Sequence, residues 1–320
     1  MLEFPLFRRS PTPPPLKRLF VTGGHGFVGQ WIQRLGPAIR DAHGVEIELP
    51  AVDFDLLDPA QVDRELARAR PDAILHLAAQ SNVPQSFRDP EATFRVNLIG
   101  TLRLLEGVRR AGLSPRFVLA SSGDVYGEVP EGELPVTESR IPRPRNPYAV
   151  SKLAAEELCG QWSRTEGLQA IVARPFNHVG KGQSEAFALP AFAHQVADIK
   201  AGRREPFVDA GDIDVTRDFL HVADVVEAYL VLLEKGVPGE TYNVCSGIER
   251  RVGDLLARLV ELAGIEAGVR TDAARLRPSP QRRMRGDNAK IRALGWQPAH
   301  PLEASLRDLL DEALLRNPHG

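Results

Sequence analysis

The sequence predicts an α/β protein: a doubly wound parallel sheet followed by a smaller C-terminal α/β lobe suited to holding a substrate. Three observations carry that expectation. Short apolar, β-branched runs alternate with helix-length segments through roughly the first half of the chain. The glycine-spaced stretch VTGGHGFVG leaves the first such run and enters the first helical segment. After Arg174 the texture changes to helical segments separated by loops rich in glycine and arginine.

Taken in order, residues 18–21 read as a strand because Leu19, Phe20 and Val21 form a buried-type apolar run. Residues 27–39 have helical spacing. Residues 45–49 are strand-like, with a further brief strand-like run at 52–54. Pro59 opens a helix over 59–69, and 73–77 is a strand. One long helix is expected over 90–111, again opened by proline, then a strand at 117–120, a helix at 148–165 and a strand at 170–173. Beyond Arg174, helices are expected at 186–201, 223–234, 252–262, 289–294 and 302–315, with few runs that look like central strands. This divides the chain into a Pro-rich disordered tail (1–17), a sheet domain (18–175, with returning segments near 205–245) and a lobe made mainly of 176–320. No internal repeat is present.

Composition removes several function classes. The formal net charge of -2 leaves no electrostatic footprint for nucleic acid or an anionic membrane. No apolar run approaches the roughly 20 residues needed to cross a bilayer. The tail holds Arg8, Arg9 and Pro13 to Pro15 but no continuous apolar core, so it does not read as a signal peptide. Cys159 and Cys245 fall in apolar or semi-apolar segments without metal-ligand spacing. They read as reduced, buried thiols of a cytoplasmic protein, and no metal is expected.

Gly23, Gly26 and Gly29 form G-x-x-G-x-x-G at a strand-to-helix turn. The first permits a tight turn, the second lets a pyrophosphate approach the backbone, and the third lets helix pack on strand. With Phe27 and Val28 opening the helix, this is a Rossmann-type dinucleotide site. An acid at the end of the second strand would bind the ribose of NADH, and an arginine there would take the phosphate of NADPH. The stretch ELPAVDFDLLD has no clean arginine and no single obvious acid, so NADPH or NADH stays open. Asp55 and Leu56 border the adenine, or Asp55 caps the following helix.

NPYAVSK places Tyr148 and Lys152 four residues apart at a helix start, hence on one face. A lysine ammonium there stabilises tyrosinate and lowers the phenol's pKa, so that the phenol can pass a proton to a carbonyl oxygen. Ser122, just past the strand at 117–120, could hold the same oxygen. Asp124 in SSGDVYG is either a site carboxylate or a turn cap.

The motifs TGGHGFVG, HLAAQ, VNLIGTLRLLE, SSGDVYG, NPYAVSK, ARPFNHVG, TRDFLHVADV, YNVCSG and GDNAKIRALGW follow one another as in the extended short-chain dehydrogenase/reductase family, which the chain resembles over nearly its whole length after residue 17. The resemblance implies Ser122, Tyr148 and Lys152 as catalytic triad. It implies cofactor contacts at the glycine loop, at Leu77, Ala78 and Ala79, at Asn97 and at Lys152. It also implies a GDP-sugar substrate, whose diphosphate meets Arg217, Arg277 and, less centrally, Arg283. Asn177 donates to phosphate or sugar, or is buried loop scaffolding; His178 reads as a packed loop histidine. The segments Gly211 to Asp214 shape the nucleotide pocket or cap a turn. In relatives, helices matching 91–111 and 148–165 pair across a dimer axis, so a homodimer is expected.

Neighbours of the triad discriminate among reactions. Family dehydratases carry T-D-E or T-S-E where this chain has Ser122-Gly123-Asp124, and the aspartate is one methylene shorter than their glutamate. Epimerase-reductases need a cysteine at the place of Gly123 and a histidine at the place of Gly182. Reduction of a 4-keto sugar nucleotide is therefore expected, with 4,6-dehydration as the alternative.

Overall fold

The structure is a computed structural model that describes residues 16–52, 54–272 and 281–316. Its strands are β1 (Arg18–Thr22), β2 (Glu46–Glu48), β3 (Ala73–His76), β4 (Arg116–Ala120), β5 (Gln169–Pro175), β6 (Asn177–Val179), β7 (Phe207–Ala210), β8 (Thr216–His221), β9 (Thr241–Val244), β10 (Glu249–Arg251) and β11 (Gly268–Thr271). Its helices are α1 (Phe27–His43), α2 (Pro59–Ala69), α3 (Val83–Arg88), α4 (Pro90–Phe94), α5 (Gly100–Arg110), α6 (Pro147–Thr165), α7 (Ala188–Lys200), α8 (Val222–Lys235), α9 (Val252–Ala263), α10 (Ala289–Arg292) and α11 (Leu302–Leu315).

Six strands form a parallel sheet in the order β2-β1-β3-β4-β5-β9. β3 and β4 are buried along their whole length, as unbroken apolar strands must be when helices cover both faces. On one face, Ile32 and Ile39 of α1 and Val225, Tyr229 and Leu233 of α8 share a core with Leu19, Val21 and Val118. On the other, Val62 and Leu66 of α2, Leu104 and Val108 of α5 and Trp162 of α6 pack on Phe20, Ile74 and Phe117. A separate core joins α7, α9 and α11 beside two small sheets, β10-β8-β6 and β11-β7. The parallel order places the ends of β1, β3, β4 and β5 along one edge, where an α/β sheet receives its ligand.

The structure departs from the sequence expectation in four places. No strand forms at residues 52 and 54: Val52 is 85% exposed, and the chain turns as Phe54 N–H donates to Ala51 O at 3.1 Å. Asp55 and Asp58 offer their carboxylates to the nearby amides of Leu57 and Ala60, a local alternative to ladder pairing. The expected helix over 90–111 is interrupted by a π-turn at Arg95–Ile99 between α4 and α5. β9, a short run with a buried Asn243, is a strand of the central sheet. Asn177 and His178 lie on a strand, β6, where a loop was expected. The N-terminal tail, apart from Leu16 and Lys17, and Arg277 lie outside the described residues. Cys159 and Cys245 are free and buried, and among the described residues no helix is long and apolar enough to cross a membrane.

Candidate active site

β1 delivers the chain into the glycine loop with Gly23 at φ +73, a left-handed conformation that disfavours any side chain. A Cβ on Gly23 would sit 2.7 Å from the amide nitrogen of Ala78, so loop and β3 exit touch backbone to backbone. A Cβ on Gly29 would lie 2.5 Å from the carbonyl oxygens of Gly23 and Gly24, which is why α1 can start this close to β1. Gly26 caps α1 without a side-chain hydrogen bond, and the first turn carries no acid. The amides at Phe27 and Val28 therefore face the loop without a competing carboxylate, an arrangement that fits the pyrophosphate of a dinucleotide. Leu77 N–H donates to Thr22 O at 3.2 Å and Ala78 N–H to Thr22 Oγ1 at 3.3 Å, fixing residues 77–79 along the loop.

Asn97, in the π-turn, is 2% exposed and fully engaged. Its Oδ1 accepts Gln80 N–H at 2.7 Å, while its Nδ2 donates to Gln80 O at 3.0 Å and Ser151 Oγ at 2.9 Å. It ties the segment after β3 to α6 and commits both its amide protons there. Asp55 is exposed with its carboxylate holding Leu57, and Leu56 is buried against Gly100. Glu48, the last residue of β2, is paired with Arg68 at 2.9 Å.

α6 starts sharply because Asn146 accepts Ala149 N–H at 2.7 Å and Pro147 occupies its first turn. This start aims Tyr148 at the end of β4, where its phenol is hydrogen-bonded to the Ser122 hydroxyl. Burial, then the nearby Asp124 carboxylate, raise the phenol's pKa above its ordinary value. Lys152 is 5% exposed and its Nζ donates to Ala120 O at 2.8 Å. Burial brings this ammonium down to about 8, against the opposing pull of Glu156. In the free protein burial outweighs any help the phenol gains from the lysine, whose ammonium is engaged by a main-chain carbonyl. Tyr148 is held protonated, the state a proton donor needs.

Asp124 is open to solvent yet enclosed enough for burial to lead in raising its pKa, with Arg217 and a hydrogen bond to Asn146 opposing. That combination places it on a crowded floor that water still reaches, beside Tyr148. Arg217, on β8, reaches the same floor; burial lowers its pKa, opposed chiefly by Asp124. Gly123 packs closely under Phe176, whose ring a Cβ there would meet at 3.2 Å. Gly182 has φ +89, a conformation that strains any side chain, and its N–H donates to Glu312 at 2.6 Å. Asn177 is exposed, which removes the buried-scaffold reading. His178 stacks on Phe27 with ring centroids 5.9 Å apart, and burial lowers its pKa, leaving it neutral. Arg283 is already held by Glu249 at 2.7 Å and Glu131 at 3.1 Å. Asp212 turns its carboxylate to Asp214 N–H and to Arg282, and Asp214 pairs with Arg251.

Sequence reasoning missed three groups. Asn146 joins the helix start to Asp124, and the Asn-Pro pair before Tyr148 was its signal. Asp218, 1% exposed, gathers Ser246 N–H (2.8 Å), Ser246 Oγ (2.6 Å), Gly247 N–H (2.9 Å) and Gly286 N–H (3.3 Å), so it pins two loops behind Arg217. Burial raises its pKa while these donors pull it down. The buried Glu156–Arg174 pair, 2.6 Å apart, had no local signal at all.

Comparison with known proteins agrees with this geometry. The family model described as GDP-mannose 4,6 dehydratase matches residues 31–309. The chain is similar to GDP-6-deoxy-D-mannose reductase of Pseudomonas aeruginosa, with 48% identity over 298 residues covering 92% of this chain and 97% of the relative. Among solved structures it resembles RMD from Pseudomonas aeruginosa complexed with NADPH (TM-score 0.88, 46% identity, 94% of this chain and 98% of that one). It also resembles the UDP-glucose 4-epimerase of Thermus thermophilus in complex with NAD (TM-score 0.80, 32% identity, 92% and 98%). A glycine cradle, a Ser-Tyr-Lys set at the end of β4 and these matches together place the chain in the GDP-mannose 4,6 dehydratase family of extended short-chain dehydrogenases/reductases.

Proposed function

We propose that the chain reduces the 4-keto group of GDP-4-dehydro-6-deoxy-D-mannose to GDP-6-deoxy-D-mannose (GDP-D-rhamnose), with NADPH as reductant. The observation that carries the reading is the site's economy: Ser122, Tyr148 and Lys152 stand together, while Gly123 beside them has no side chain to serve as acid or base. Likeness to a GDP-6-deoxy-D-mannose reductase supports the substrate, and the NADPH complex of a solved relative supports the coenzyme. At the end of β2 itself, Glu48 is paired with Arg68.

Bound at the glycine loop, the reduced dinucleotide supplies a hydride to the ketone carbon. The chain's part is to hold and protonate the oxygen. Ser122 donates a hydrogen bond to it, Tyr148 releases its proton to it, and the Lys152 ammonium steadies the phenolate left behind. Arg217, with Arg277 from outside the described residues, grips the diphosphate, and Asn177 lies open for a sugar or phosphate contact.

A second reading, GDP-mannose 4,6-dehydration, draws on Asp124, whose raised pKa beside Tyr148 suits an acid. One pair of assays separates the two. A reductase leaves GDP-mannose untouched and oxidises one equivalent of NADPH per keto sugar. A dehydratase forms the keto sugar from GDP-mannose with no added reductant. The assembly we propose is a cytoplasmic homodimer; Phe87, Ile99 and Val150 stay 62%, 37% and 39% exposed on neighbouring α3, π-turn and α6, and support it.

A further inference from the structure

We propose that Glu156 is a positioning residue for the proton transfer: its buried carboxylate, clamped by Arg174 and Ser121, is the counter-charge that keeps Lys152 protonated and in place one helical turn from Tyr148. The inference rests on the reductive reading above.

Tyr148, Lys152 and Glu156 occur at intervals of four on α6, so they share one face. All three are buried, at 8%, 5% and 6% exposure. Three consecutive residues leaving β4 each hold one of them. Ala120 O takes the Lys152 ammonium at 2.8 Å, the Ser121 hydroxyl donates to Glu156, and the Ser122 hydroxyl bonds Tyr148. From β5, Arg174 donates to the Glu156 carboxylate through Nε at 3.0 and 3.2 Å and Nη2 at 2.6 Å. The carboxylate is thereby fixed, with no freedom to swing away from the lysine. A lone buried ammonium is costly, and a fixed anion one turn away offsets that cost.

The other groups around Lys152 do not change charge in the working range. Burial, then Lys152 itself, bring His76 on β3 down to about 3, so it is neutral. Burial, then Glu156, push the Cys159 thiol up to about 12. Burial pushes Tyr126, under Arg174, up to about 12, and Tyr148 is also raised. Lys152, at about 8, is the member of this cluster that titrates between neutral and alkaline pH.

The test compares the basic limb of the kcat/KM profile for the keto sugar in wild type, Glu156→Gln and Arg174→Gln. In parallel, Lys152 is titrated directly through its ε-carbon resonance in 13C-lysine-labelled protein, tractable with six lysines. Glu156→Gln is expected to move limb and resonance toward acid by about one pH unit, from one charge lost at roughly helix-turn distance. Arg174→Gln is expected to move both toward base. Each single variant breaks the same ion pair, so a merely structural staple would shift both the same way or neither; that result overturns the proposal. Glu156→Asp, which keeps the charge, stays close to wild type. If a single variant does not fold, the neutral double variant E156Q/R174Q decides: a smaller acid shift supports the role, and an unmoved resonance overturns it. Failure of the wild type to reduce the keto sugar would sink the reductive reading, while the resonance still tests the coupling of Glu156 to Lys152.

Discussion

The two walls of the cleft are made of different materials. The dinucleotide wall is backbone: Gly23, Gly26 and Gly29 are useful for what they lack, and a single Cβ at Gly23 or Gly29 would meet main-chain atoms within 3 Å. The opposite wall is side chain: Asp124, Asn146 and Arg217 come from three separate elements and meet through charge and hydrogen bonds. A wall of backbone is common to any protein that binds a dinucleotide this way. A wall of side chains can be exchanged one residue at a time, so selectivity among sugar nucleotides resides there.

The comparison can be broken or sharpened by five measurements. Tyr148→Phe removes the proton donor between the walls and should lower kcat by about 10²–10⁴-fold while NADPH still binds by fluorescence titration. Gly23→Ala strains a backbone at φ +73 and should weaken NADPH by roughly a hundredfold, with the keto-sugar KM little changed at saturating coenzyme. Arg217→Gln, on the other wall, should raise the sugar-nucleotide KM by about 10–100-fold and leave the NADPH Kd alone, the loss of a charged hydrogen-bond donor. If Gly23→Ala and Arg217→Gln each disturbed both ligands equally, the two-wall description would fail. The pH profile follows from Lys152: its pKa is lowered from 10.5 to about 8, so the ammonium is present below that pH and lost above it. Activity should therefore decline as pH rises through 8, read as kcat/KM with NADPH saturating. Arg283→Ala should change KM by less than about threefold, since Glu249 and Glu131 already occupy that guanidinium and an exposed pair contributes little.

Local chemistry made some elements readable from sequence, and its absence hid others. α2 and α11 begin and end where proline, capping aspartate and apolar spacing indicate. The π-turn at Arg95–Ile99 has no local sequence signal, and the buried Asn97 within it bonds to residues distant in sequence, Gln80 and Ser151. Residues 52–54 looked like a strand because valine and phenylalanine favour strands, yet Phe54 N–H turns back to Ala51 O instead of joining a ladder. In the site, Tyr148, Lys152 and the glycines announce themselves by spacing within one segment. Glu156 and Arg174 do not, since their meaning arises only when β5 lies against α6. Arg283 illustrates the converse: a guanidinium in suggestive company can be fully occupied by its own neighbours.

Arg217 and Asp218 are adjacent on β8 and so project to opposite sides of it. One meets the cleft floor, and the other fastens the segments around Ser246 and Gly286. Any tug on the guanidinium by an incoming anion is thus passed, through a single peptide unit, to the two loops that Asp218 pins. Gripping the cargo and keeping those loops fastened therefore share one stretch of main chain.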